Sequence, residues 1–218
     1  MYRYYLFHKP FGCVTARRDD RYPTVMDAFA GLDNPNLSPV GRLDRETEGL
    51  LLVTDDGMFN RQMTRPEFRK EKIYEFAVLG DLTGEKRLAL ERGVLLNGED
   101  TLTAPARVTV TGKSTLGEVL PQLHPEIREK SAHNPMDRTV TFGTITLTEG
   151  RNRQIRRMMK TQRLLVLRLK RVKMGEFTLP ETLKPGEWVE IFPKAGHPEQ
   201  SEGSPPKRGD SSAHCASE

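Results

Sequence analysis

The run GRLDRETEGLLLVTDDG, residues 41–57, crowds five ionisable groups against an apolar stretch, and Asp44 is its first candidate for chemistry. Arg42, Asp44, Arg45, Glu46 and Glu48 stand directly before Leu50 to Val53. A carboxylate there can be held ionised by an arginine while it is partly shielded from water, the setting in which an aspartate acts as nucleophile or base. The plainer reading is an Asx-type turn, with the Asp44 side chain capping an amide near Thr47.

A second feature is electrostatic. The 23 residues from Arg151 to Lys173 hold ten arginines and lysines and no acid. Such a block repels itself, and needs either a polyanion or a buried counter-charge. Arg153, Arg156, Arg157 and Lys160 recur at helical spacing, which a solvated helix face would also explain, and Ile155, Met158 and Met159 form the opposite, core-facing stripe.

These residues need elements to position them. Strands are predicted at Tyr2 to His8, Leu50 to Thr54, Lys72 to Leu79, Ala106 to Thr111, Thr139 to Leu147, Leu165 to Val172 and Glu187 to Phe192. Helices are predicted at Thr24 to Phe29, Met58 to Thr64, Thr83 to Arg92 with Thr83 as N-cap, and Arg151 to Gln162. From Lys72 the order is β-α-β, β-α-β, the split βαβ arrangement of ferredoxin-like folds. The class is α+β, with a mainly antiparallel mixed sheet and flanking helices. Lys113 to Arg138, rich in Pro, His and charge, reads as a long irregular loop of functional type. The expected organisation is one domain over 1–194, in two packed subdomains of roughly 1–66 and 67–194. A polar tail over 195–218 is expected to be disordered. With the tail's two basic and four acidic residues set aside, 32 basic and 26 acidic remain, a charge of +6 against +4 for the whole chain.

Four segments carry a resemblance. GRLDRETEGLLLVTDDG resembles the catalytic motif of the RsuA-type pseudouridine synthases. HKPFGCVT (8–15), KIYEF (72–76) and TEGRNRQIRRM (148–158) are similar to three further family motifs, in the same order. The likeness spans residues 8 to 171. It implies the pseudouridine synthase catalytic fold and conversion of uridine to pseudouridine in RNA, without metal or cofactor. It also implies Asp44 as catalytic residue, Tyr74 as the aromatic platform for uracil, and Arg156 as the ion-pair partner of Asp44. Leu169 would pack on the base. Arg42, Lys9, Arg151, Arg153, Arg157 and Lys160 are the expected RNA contacts. From the residues alone, Tyr74 is a half-buried strand tyrosine, Arg156 one member of the basic stripe and Leu169 core. The opening strand begins at residue 2, leaving no room for an S4 RNA-binding module, and the chain resembles the short RluE-like members acting on large-subunit ribosomal RNA. Target choice would then come from the basic helix, the 113–138 loop and Arg17-Arg18.

Other classes fare worse. An RNA-binding or ribosome-assembly factor on the same fold would use the basic segment, but has no need of Asp44, Tyr74 and Arg156 together. A metal-dependent nuclease would draw on Asp55 and Asp56, which turn chemistry explains, and His124 and His133 lack metal-ligand spacing. Two cysteines, Cys13 and Cys215, make no disulfide framework, and no apolar run is long enough to span a bilayer. The expected setting is a monomer in the cytoplasm.

Overall fold

The computed structural model describes residues 1–193 and 208–209. In chain order the strands are β1 (Tyr4–Lys9), β2 (Ser38–Pro39) and β3 (Glu48–Thr54), followed by α1 (Gly57–Thr64), β4 (Lys72–Leu79), α2 (Gly84–Arg92) and β5 (Arg107–Thr115). There follow α3 (Leu116–Val119), α4 (Pro125–Ser131), β6 (Thr139–Leu147), α5 (Gln154–Thr161), β7 (Leu165–Met174), β8 (Phe177–Thr178), β9 (Trp188–Glu190) and β10 (Arg208–Gly209). Two compact units result, one of Met1–Phe68 with the chain from Phe177 onward, the other of Arg69–Glu176.

In the first unit β1 pairs antiparallel with β3, from Tyr4↔Thr54 to Lys9↔Gly49. Leu50 to Val53 are apolar at every position, the pattern of a strand covered on both faces, and all four are at most 1% exposed. On its other edge β1 pairs with β9, Phe7 opposite Trp188. Trp188 packs on Tyr5 (ring centroids 5.0 Å apart) and stacks on Phe29 (5.6 Å), and its indole N–H donates to the Ala28 carbonyl at 3.0 Å. The expected subdomain of 67–194 is corrected here, because this aromatic cluster draws the chain after Phe177 back to the first unit. β10 pairs with β9, and the rest of the expected disordered tail, Cys215 included, lies outside the described residues. The expected helix at Thr24 to Phe29 is a single 3-10 turn, Asp27–Phe29. Asp56 caps α1, accepting from the Met58 and Phe59 amides, while Asp55 accepts from the Arg3 amide and Asn34.

In the second unit the strand order is β7-β4-β6-β5, all antiparallel, with α2 joining β4 to β5 and α5 joining β6 to β7. This is the split βαβ order that the sequence predicts. Tyr74 lies between Ile145 and Arg171, and Phe76 between Gly143 and Leu169. Gly143 has no room for a side chain: a Cβ would sit 2.3 Å from the Thr109 carbonyl oxygen and 2.6 Å from Phe76 Cζ. The 113–138 stretch is not an irregular loop. β5 runs on to Thr115, whose hydroxyl forms a capping box with Glu118 at the start of α3, and Pro125 opens α4. Leu116, Val119, Leu123 and Ile127 recur at helical spacing and are buried. Among the described residues no helix is long and apolar enough to cross a membrane.

Gly143→Ala should lower stability by about 1–3 kcal/mol, the usual cost of overpacking, because the contact is partly backbone. Urea denaturation measures this, and an unshifted midpoint would show that Phe76 and β5 can give way.

Candidate active site

Asp44 sits half-buried at the start of the turn that leads into β3, and the Thr47 amide closes that turn on the Asp44 carbonyl at 3.0 Å. Residues of the HKPFGCVT segment fix this turn on several sides. The Thr15 hydroxyl donates to the Leu43 carbonyl (2.7 Å) and accepts from the Leu43 amide (3.1 Å). The Gly12 amide donates to the Arg45 carbonyl at 2.9 Å, from a backbone at φ +86° that favours glycine. Lys9 is wholly buried, and its ammonium donates to the carbonyls of Pro10 (2.9 Å), Arg45 (3.3 Å) and Thr47 (2.9 Å). This corrects its expected role as an RNA contact: buried under the turn, Lys9 positions Asp44 instead. Arg42 is exposed. The Arg45 guanidinium carbon lies 4.7 Å from the Tyr22 ring centroid and 5.8 Å from that of Phe11.

In the second unit one face of the β4–β7 pair gathers Lys72, Tyr74, Phe76, Leu169 and Arg171, as the two-residue period of a strand requires. Tyr74 is 9% exposed, Leu169 is buried, and the buried Arg171 guanidinium carbon lies 6.0 Å from the Tyr74 ring centroid. Burial, and then the charge of Arg171, hold the Lys72 ammonium below the usual lysine range. Arg171 was not among the expected site residues. The spacing carries the signal, since Leu169 and Arg171 are two apart on one strand and so share a face.

The basic block meets counter-charge rather than bare solvent. Glu99, on the loop after α2, accepts from both Arg151 and Arg157. Arg151 also donates to Glu149 (3.3 Å) and to the carbonyls of Thr101 (3.0 Å) and Leu102 (2.6 Å); Arg157 donates to the Asn97 carbonyl (2.7 Å). These two arginines therefore tie the start of α5 to the 97–102 loop, and both remain partly exposed. The helix also begins later than expected, at Gln154, because Arg153 takes a left-handed conformation at φ +47°. Arg153 and Lys160 are exposed, and Arg156 is half-buried with its Nη1 3.4 Å from the Val166 carbonyl of β7. The two arginines hold the Glu99 carboxyl below its ordinary range, chiefly through hydrogen bonds from Arg151 and then Arg157.

Comparison with known proteins places this arrangement in a class. A family described as RNA pseudouridylate synthase matches residues 3–161. The chain is 36% identical to the ribosomal small subunit pseudouridine synthase A of Pseudomonas aeruginosa, over 85% of its own length and 69% of the relative's. It is 38% identical to the ribosomal large subunit pseudouridine synthase E of Xanthomonas campestris, over 84% of its own length and 92% of the relative's. A solved structure titled as a pseudouridylate synthase matches with TM-score 0.71 and 30% identity, covering 88% of this chain and 71% of the other. The chain belongs to the RNA pseudouridylate synthase family and is an enzyme of that class. Within the family it is of the RsuA type and RluE-like.

Lys9→Met should cost about 2–6 kcal/mol, since the Pro10 and Thr47 carbonyls lose this donor, Arg45 keeps the Gly12 amide, and a buried carbonyl left unsatisfied costs roughly 1–3. Melting temperature and turnover should fall together; a stable Lys9→Met enzyme of normal activity would refute the positioning role. For Glu99→Gln the pH dependence is diagnostic. A depressed carboxyl stabilises the fold above its unfolded value, about 4.3 for glutamate, and that stabilisation fades as pH falls through the folded value. Wild type should thus exceed the variant in stability by a constant margin above about pH 5, a margin that closes below about pH 4. A margin independent of pH would contradict the ion-pair account.

Proposed function

We propose that this protein isomerises specific uridines to pseudouridine in large-subunit ribosomal RNA, with Asp44 as the catalytic carboxylate. The observation carrying the reading is the convergence of two motifs. Lys9, Gly12 and Thr15 of the first each hold the backbone of Leu43, Arg45 or Thr47 in the second, so Asp44 stands on a turn fixed on both sides. A carboxylate whose backbone is this constrained is suited to act on a substrate atom without reorganising.

The reaction breaks the N-glycosidic bond, turns the uracil and rejoins it through C5, whose proton leaves to solvent while the freed N1 takes one up. No electrons or groups are gained, so the chemistry calls for no cofactor. Asp44 can add to the uracil ring, add to the ribose anomeric carbon, or remove a ribose proton to begin elimination. In this reading the target base leaves its stack at a cost of a few kcal/mol, and stacking on Tyr74 returns about 1–3 of them. The family motifs give Arg156 the part of the cation that keeps such a carboxylate ionised and Leu169 that of packing on the base, while Arg42, Arg151, Arg153, Arg157 and Lys160 are the candidate RNA contacts. Support for large-subunit RNA is the likeness running along 92% of the synthase E of Xanthomonas campestris. A monomer suffices for these roles, and the buried thiol of Cys13 suits the cytoplasm.

The test uses ribosomal RNA labelled with tritium at uracil C5, from cells lacking this protein. Asp44→Asn should reduce tritium release to background while RNA affinity is retained. Turnover persisting in that variant would remove Asp44 from its role, and a wild-type protein that binds without forming pseudouridine would make the chain a binding factor.

A further inference from the structure

The loop between Thr15 and Thr24 carries a feature that neither the fold nor the isomerisation requires. Tyr22 is 39% exposed, yet its ring is held: the Arg45 guanidinium lies against it at 4.7 Å, with Phe11 behind at 5.8 Å from the same group. The loop itself is hydrogen-bonded internally and at its neck. The Asp19 carboxylate accepts from the amides of Arg21 and Tyr22, both at 2.9 Å, which fixes the backbone that presents the ring. Arg17 donates to the carbonyls of Pro35 (3.2 Å) and Leu37 (3.1 Å), and Val14 is bonded at 2.9 Å to Pro23 and to Val25, closing the neck. Arg18, Arg21 and Arg42 are exposed, and Asp19 and Asp20 are the exposed acids in the loop.

We propose that Tyr22 and Arg45, backed by Phe11, form a second stacking shelf that takes an unpaired RNA base flanking the target uridine. Aromatic rings and guanidinium planes are the surfaces on which unpaired bases stack, whatever their sequence. The shelf lies one residue along the chain from Asp44, so a base held on it belongs to a nucleotide close to the one being modified. These hydrogen bonds add to this, because a ring already held loses little freedom when a base covers it. Arg18, Arg21 and Arg42 supply cations for the flanking phosphates. The inference rests on the isomerase reading of Asp44 and adds a contact for the sequence around the target.

The experiment compares wild type, Tyr22→Ala and Tyr22→Phe on protein-free large-subunit ribosomal RNA from cells lacking this protein. Tyr22→Ala should bind about 5- to 100-fold more weakly, the loss expected for one stacked base, and should raise KM with little change in kcat. Tyr22→Phe should restore wild-type affinity. The slope of affinity against salt should be the same in all three, because no phosphate contact is removed. Ultraviolet crosslinking of the wild type should leave a nucleotide adduct on Tyr22 or Phe11. Unchanged affinity in Tyr22→Ala would overturn the shelf, as would failure of Tyr22→Phe to restore binding. If Tyr22→Ala proves unstable, the crosslink decides: adducts confined to other residues overturn the proposal. Pseudouridine formed by wild type in the same RNA is scored separately, so loss of the shelf and loss of the isomerase reading give different results.

Discussion

A lysine ammonium sealed inside the first unit is the interaction around which the candidate active site is organised. Removing such a group from water is costly unless strong acceptors replace the lost hydration. The carbonyls of Pro10, Arg45 and Thr47 are those acceptors, and two of them belong to the turn that carries Asp44. The requirement runs in both directions: the ammonium needs the turn, and buried carbonyls need a donor. It also constrains β1. Lys9 is the last residue of that strand and pairs with Gly49, so a slip of one residue would swing its side chain to the opposite face. Strand register and active-site geometry are here one constraint.

Charge in the second unit is arranged on the same economy. A sequence block without a single acid suggests a surface that is wholly available to phosphates, yet Glu99, remote in sequence, and Glu149, two residues before the block, occupy part of it. What remains outward on α5 is a narrower set, Arg153 and Lys160. Arg171 takes the opposite course, buried against Tyr74 in the strand that follows. Among the ten cations, Arg151 and Arg157 join a loop to a helix, Arg171 packs beside an aromatic ring, Arg156 reaches a strand carbonyl, and Arg153, Lys160, Arg163 and Arg168 are exposed.

Much of this was legible in the residues. β1 and β3 announce themselves as unbroken apolar runs and β4 as a strand ending in a buried one, while Thr83 marks the start of α2 by its capping hydroxyl. Leu169 was legible as core, and Tyr74 as a strand tyrosine, expected half-buried and found 9% exposed. What escaped was either long-range or disguised. Nothing local in Trp188 says that it packs with Tyr5 and Phe29. The helices between β5 and β6 were hidden by Pro121 and Pro125, residues that break a helix in its interior but sit well in a first turn. Lys9 looked like a phosphate ligand because composition cannot distinguish a cation facing RNA from one facing carbonyls. Tyr22 was passed over because a single tyrosine in a charged loop has no periodicity to mark it.

The connection between β5 and β6 has one further consequence. Its two ends are laced together where it leaves the sheet, by the Leu116 amide on the Arg138 carbonyl (2.9 Å) and the Gly117 amide on the Met136 carbonyl (2.8 Å). The neck is closed by backbone groups, while Leu116, Val119, Leu123 and Ile127 supply the excursion's buried side chains. Residues added between these anchors cost little in closure entropy, which grows only logarithmically with their number. This places on the second unit a cassette that descent can lengthen, shorten or recharge while Tyr74 and its neighbours stay in register.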